Sequence, residues 1–263
     1  MKALPSLQGL WNEYGGKGLN MFLLESQGTG EDKLKAFLKA KGITAPVQMG
    51  GLSGYPGNGG LPFAYVIGVD GKVVMEGRGD YHAVIKAEMA KIKYPGLGKL
   101  DVAKGLEKAA GNFVAKAYNK AIDDCNSVIE KGKDEAAVAD AKFIIERCNA
   151  EGAKLRARID AAKGEKRYLD AFADLETLSS GFKGMEIGDA AATELKELKK
   201  DKEVKKEVDA ANGLIKLREN VAKMKTKTEK ATALRNFAKQ KANDGTRAAD
   251  DAKAEADRVE AEG

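Results

Sequence analysis

The chain has 263 residues, of which 43% are hydrophobic and 32% charged, enough for a real core beneath a charge-rich surface. Its 45 basic and 40 acidic residues are interspersed and leave a net charge of +5, which describes a solvated surface and excludes a nucleic-acid footprint. One histidine and two cysteines exclude the usual four-ligand cysteine/histidine zinc site and give little purchase for Ser-His-Asp or Cys-His catalysis, and no run of about 18 apolar residues is present to form a membrane helix.

In chain order, Met1–Tyr14 reads as an amphipathic helix that carries a proline, Pro5. Leu19–Glu25 (LNMFLLE) is a short apolar run and predicts a buried strand. Thr29 is placed to cap the following helix, with Glu31 and Asp32 in its first turn and Gly42 as its C-terminal stop. Ala45–Met49 is a weak strand, and residues 50–60 (GGLSGYPGNGG) are a glycine-rich loop. That loop lacks the Lys-Ser/Thr of a phosphate-binding loop and the helix that must follow one, so it reads as a connector.

PFAYVIGVDGKVVMEGR then places Asp70–Gly71 between two apolar runs, the strongest short hairpin signal. Asp80 caps a helix to about Ile92, with Val84, Ile85, Met89 and Ile92 on one side. The tripeptide Arg78–Gly79–Asp80 matches an adhesion motif by chance, because Asp80 already has a role as a cap. His82, in the first turn of that helix, has no second ligand in view. Trp11 and Tyr14 stand beside Leu7 and Leu10 at helical spacing and read as core.

The composition changes at KYPGLGK (93–99), which holds the last proline and predicts a boundary between a domain at 1–95 and a domain at 98–263. The second domain is helical almost throughout. Ala121, Ile122, Cys125, Val128 and Ile129 mark one helix face. Ala137, Ala141, Ile144, Ile145, Cys148, Leu155 and Ile159 mark a longer one. The segments AAVADA, AAATEL and AADDAK, at Ala136, Ala190 and Ala248, each open the second helix of a hairpin at uneven spacing. They resemble degenerate tetratricopeptide-like hairpins without that family's regular period. Lys199–Lys206 (KKDKEVKK) reads as a solvated turn or helix surface.

If 132–134 is a hairpin turn, Cys125 and Cys148 are offset by about 7 residues, roughly 10 Å along the helices, while disulfide Cα atoms lie within about 7 Å. Both read as buried thiols on apolar faces. Neither belongs to a Cys-x-x-Cys motif or sits at a helix start that would lower its pKa.

The order helix, strand, helix, weak strand, loop, Leu61–Pro62, hairpin, helix resembles a thioredoxin fold without its start. Residues 60–78, GLPFAYVIGVDGKVVMEGR, look like the cis-proline strand and hairpin of TlpA/ResA-like thiol-disulfide oxidoreductases. Residues 4–19, LPSLQGLWNEYGGKGL, resemble the helix that follows the redox motif in that family. The resemblance implies an incomplete thioredoxin-like α/β domain followed by an all-α helical-hairpin domain. It implies a cis Leu61–Pro62 bond, with Leu61 pairing through its backbone to bound peptide. The plain alternative is that Pro62 is the first residue of a strand in trans, where its missing N–H does no harm.

Counting back from Pro5 puts the second cysteine of the redox motif directly ahead of Met1. Residues 1–263 therefore lack the catalytic pair and the strand that delivers it, which in the family lies between the counterparts of 19–25 and 63–69. Backbone groups left unpaired in a buried sheet cost on the order of 1–3 kcal/mol each. Three arrangements are open. The chain start is misassigned, another chain supplies the strand, or the sheet has closed around a redox-dead remnant. The first is the expectation, and the coding sequence upstream of Met1 tests it.

The functional expectation is a thioredoxin-like oxidoreductase family member, redox-inactive as 1–263. It has no catalytic residue of its own, no cofactor and no metal, and its substrate-binding residues are Leu61 and Pro62. Its partners would be a protein or a protein thiol/disulfide, not nucleic acid. The alternative is an interaction scaffold built on the helical half, with the redoxin remnant as a cap. Self-assembly into homo-oligomers is a third expectation, from long alanine-rich helices and an open strand edge. The resembled class is frequently extracytoplasmic, although no signal segment is visible ahead of Leu4.

Overall fold

The computed structural model describes residues 3–25, 28–50 and 63–261. The chain has a mixed α/β opening followed by a helical bulk. It forms two compact units. The first is Met1–Val114 with Asp134–Asp140, and the second is Ala115–Lys133 with Ala141–Gly263. The composition change at 93–99 therefore falls inside the first unit. There Leu97 is fully buried, and the Gly96 N–H donates to the Lys17 carbonyl at 3.1 Å.

In the first unit, α1 (Ala3–Tyr14) is followed by a 3-10 turn, β1 (Leu23–Glu25), α2 (Glu31–Ala40), β2 (Val47–Met49), β3 (Ala64–Ile67), β4 (Val73–Gly77), α3 (Tyr81–Ala90) and α4 (Glu107–Val114). Among the described residues the strands form two separate pairs, β1 parallel to β2 and β3 antiparallel to β4. Leu10 of α1, Val66 of β3 and Ile85 of α3 form a small core, ringed by Leu7, Tyr14, Leu19, Met75, Tyr81, Val84 and Met89.

Several local expectations are corrected. The strand expected over 19–25 narrows to Leu23–Glu25 and is half-buried, with Phe22 66% exposed. A strand persists only where its backbone groups find a neighbour, and among the described residues β1 has one, β2. Thr29 does not cap α2. Its hydroxyl donates to the Glu25 carboxylate at 3.1 Å, and Gly30 takes the cap position without a side-chain bond. The turn of the β3–β4 hairpin spans 68–72 rather than Asp70–Gly71 alone. Gly68 N–H donates to the Lys72 carbonyl, Lys72 N–H donates to Asp70, and the strand register slips between Val66 and Ile67. Asp80 does cap α3, accepting from the Ala83 N–H at 3.1 Å.

The second unit holds α5 (Tyr118–Lys131), most of α6 (Glu135–Gly164), α7 (Tyr168–Gly181), α8 (Glu186–Leu198), α9 (Lys202–Val221), α10 (Lys227–Ala238) and α11 (Arg247–Ala261). A repeat is present at a spacing the alanine segments do not give. Lys116 and Lys166, fifty positions apart, are the two non-glycine residues with positive φ among those described, at 60° and 57°. Each is followed by a residue near φ −88°, ψ 63–64° and then by a 14-residue helix opening on tyrosine, Tyr118 or Tyr168. Burial repeats in step. Ala121 matches Ala171, Cys125 matches Leu175 and Ala141 matches Ala191, and all six are fully buried. The alanine segments are unevenly spaced because they enter their helices at different depths, at the second residue of α6 and α11 and the fifth of α8, and because α9 lies between α8 and α10. The left-handed lysines fix where α5 and α7 begin.

The α5–α6 and α7–α8 hairpins meet closely. A methyl group on Gly181 would lie 2.8 Å from the Lys116 carbonyl oxygen. Tyr118 and Phe182 pack in a tilted arrangement with ring centres 5.0 Å apart, and Asn119 donates to the Lys183 carbonyl at 2.9 Å. A second core joins α9, α10 and α11 through Leu214, Leu234, Phe237, Ala249 and Ala252. Among the described residues no helix is long and apolar enough to cross a membrane.

Candidate functional site

The residues that carry the redoxin resemblance are organised by α1. On its inward side Leu10 reaches Val66 and Ile85, beside the antiparallel strand pair. Two residues earlier, on another side of the helix, Gln8 is buried and fully engaged. Its Oε1 accepts from the Thr44 N–H at 2.7 Å and the Ala45 N–H at 3.1 Å, and its Nε2 donates to Thr44 Oγ1 and Asn12 Oδ1, both at 2.7 Å. Thr44 and Ala45 lead into β2. One helix thus holds both strand pairs, by apolar packing on one and a side-chain amide on the other. Gln8 has no sequence signal, because a glutamine on an amphipathic helix reads as surface.

Leu61 and Pro62, the expected peptide-binding residues, lie outside the described residues, as does the glycine-rich loop from 51 to 60. His82 is not isolated. The Ser6 hydroxyl lies 2.5 Å from its Nε2, tying α1 to α3, and the Tyr81 ring stacks on it at 4.8 Å. Trp11 is half-buried and packs over Gly15, where a methyl group would meet the indole at 2.9 Å, while Tyr14 packs against the Leu10 core as its spacing predicts. Among the described residues no cluster of three metal-ligating side chains occurs.

Cys125 and Cys148 are free and fully buried. Burial pushes each thiol up to about 12, with the Asp124 charge adding to the effect at Cys125 and Cys125 itself adding to it at Cys148. A thiol with a pKa near 12 is ionised in about one molecule in 100,000 at pH 7, so neither side chain is a nucleophile in the folded protein.

Two carboxylates, one half-buried and one buried, fix the segments around these elements. In the first unit Asp140 accepts from the Ala103 N–H at 2.8 Å and pairs with Lys99. Burial pushes its carboxyl up, but these two donors outweigh that and hold it below the usual range. In the second unit Glu207 is buried and takes two donors, the Lys166 ammonium at 3.3 Å and the Arg247 N–H at 2.9 Å.

Compared with family models, curated proteins and solved structures, the chain matches none.

Proposed function

We propose that the first unit is a redoxin-type domain of the TlpA/ResA-like class, and that residues 1–263 hold the scaffold and peptide-facing side of a thiol-disulfide oxidoreductase without its cysteine pair. The observation that supports this reading is α1 gripping both strand pairs through Leu10 and Gln8. In the resembled class the strand that delivers the redox motif lies between the counterparts of β1 and β3. Among the described residues β1 and β3 each have a single strand neighbour, so each has an edge to offer such a strand.

The chemistry follows from the residues present. The class cycles a dithiol and a disulfide through a mixed disulfide, which needs an accessible thiolate. The two thiols of this chain are buried and protonated. The chain itself therefore binds and positions and does not turn over disulfides.

The test is a gain of function. An apolar strand ending in Trp-Cys-x-x-Cys is fused directly ahead of Met1, and reduction of insulin disulfides is followed. The expected result is reductase activity that disappears when the grafted cysteines are changed to serine, with residues 1–263 alone inactive. A folded fusion without activity overturns the reading. So does turnover by residues 1–263 that survives Cys125→Ala and Cys148→Ala together.

A second reading, an interaction scaffold, is favoured by the fifty-residue repeat of α5–α6 and α7–α8, since stacked hairpins build extended surfaces. It predicts that a protein bound to the full chain shields amides within 115–261 from hydrogen exchange. Protection confined to residues 3–114 sinks it.

A further inference from the structure

We propose that the groove between the first two turns of α9 and the 3-10 turn Lys241–Asn243 binds a compact polyvalent oxyanion, such as a phosphate-bearing group. The groove has a volume of about 480 Å³ and is lined by Lys202, Lys205, Lys206, Asp209, Ala242 and Asn243, with Ala210 at its base. The three lysines are spaced i, i+3 and i+4, which puts their ammonium groups on one side of the helix.

No ion pair takes up the lysines of this groove among the described residues. Two nearby acids are committed elsewhere. Asp201 accepts from the Glu203 and Val204 N–H groups, at 2.8 and 3.1 Å, as the cap of α9. Glu207 is turned into the core and held by Lys166 and Arg247. Lys206 donates to a neutral acceptor, the Asp244 carbonyl, at 2.8 Å. Lys202 and Lys205 form no ion pair among the described residues, and neither does the one carboxylate in the lining, Asp209. Three cations against one anion in a concave site attract a ligand that carries several negative charges over a few ångströms, and attract monovalent anions weakly. The proposal is independent of the redoxin reading, which concerns the first unit.

The test is titration of the full chain with inorganic tripolyphosphate, followed by calorimetry and by amide shifts, with chloride and orthophosphate as comparisons. Saturable binding to tripolyphosphate is expected, weakening as salt is raised. Lys202→Gln with Lys205→Gln should weaken it by about tenfold, and Asp209→Asn should tighten it by about two- to threefold. All three positions lie on the solvent side of α9, so circular dichroism should report unchanged folding. Absence of saturable binding, equal binding by the lysine variant, or weaker binding by Asp209→Asn overturns the proposal.

Discussion

Cys125 and Leu175 hold the same place in successive hairpins, fifty positions apart, each fully buried on the inner face of a 14-residue helix. A position filled by leucine in one repeat and cysteine in the other is a packing position. The thiol is there as a small apolar group. Both cysteines should resist a thiol-reactive chromophore in the native protein and react fully in denaturant. Rapid labelling of either one under native conditions would contradict this.

The same burial makes stability fall in alkali. Cys125, Cys148 and Tyr118 are each pushed up to about 12, chiefly by burial. In the unfolded chain thiols ionise near 8.5 and tyrosine near 10. As pH rises through that range the unfolded state loses protons that the folded state keeps, so the unfolded state gains the advantage. The contribution is complete below about pH 8.5 and is lost progressively toward pH 12. Urea midpoints measured between pH 7 and 11 should fall. Cys125→Ala with Cys148→Ala should flatten the thiol part of the decline and leave the later part due to Tyr118.

Gln8 should matter more than a surface glutamine on α1. Gln8→Ala strands the N–H of the buried Ala45, at a cost on the order of 1–3 kcal/mol, while the N–H of the exposed Thr44 can turn to water. Gln8→Glu keeps the acceptor but forfeits the donations to Asn12 and Thr44 Oγ1, so it should fall between wild type and alanine. Denaturant unfolding read through Trp11, which lies on the same helix, would register the order. A neutral Gln8→Ala would mean that the amide does not hold the segment leading into β2.

The parts of the fold that were legible in the sequence are those written by side-chain period. The Ala121, Ile122 and Cys125 face and the Ala141, Ile144 and Cys148 face are buried as their spacing predicts. Asp80 caps α3 because an acid ahead of a helical pattern has one obvious use. Thr29 had the same local signal but lost it to Glu25, a competitor three-dimensional structure brings near and local pattern does not reveal. The strand at 19–25 shortened because strand length is set by neighbours, which a single apolar run does not encode. The repeat was hidden because its marker is a backbone angle carried by lysine, where glycine would have announced it. At the candidate site the apolar grip of Leu10 was legible, and the polar grip of Gln8 was not.

Two glycines separate packing from propensity. A methyl group on Gly188 would lie 2.1 Å from the Phe182 carbonyl oxygen, backbone that cannot swing aside. Gly188→Ala should therefore destabilise the protein by about 3 kcal/mol or more, at the high end of single substitutions. Gly111, inside α4, has open space at the same position. Gly111→Ala should stabilise by about 0.5–1 kcal/mol, since alanine restricts the unfolded chain and favours helix. Thermal unfolding of both variants checks the pair, and equal effects would refute the distinction.

Glu207 supplies the last test, because its partners make opposite demands on any replacement. The Lys166 ammonium, on the residue held at φ 57°, is more than half exposed and can return to water when its partner is removed. The Arg247 N–H begins α11 beside the fully buried Thr246 and has less recourse to solvent. The loss on Glu207→Ala should then come mainly from the backbone donor, at about 1–3 kcal/mol. Glu207→Gln keeps an acceptor for that N–H while removing the charge, so it should recover most of the difference. High salt should change the wild-type stability little, since the Lys166 end of the pair is more than half exposed and the backbone bond to Arg247 carries no net charge on its donor. If glutamine is as damaging as alanine, and salt as damaging as either, the ion pair with Lys166 carries the interaction and the backbone bond does not.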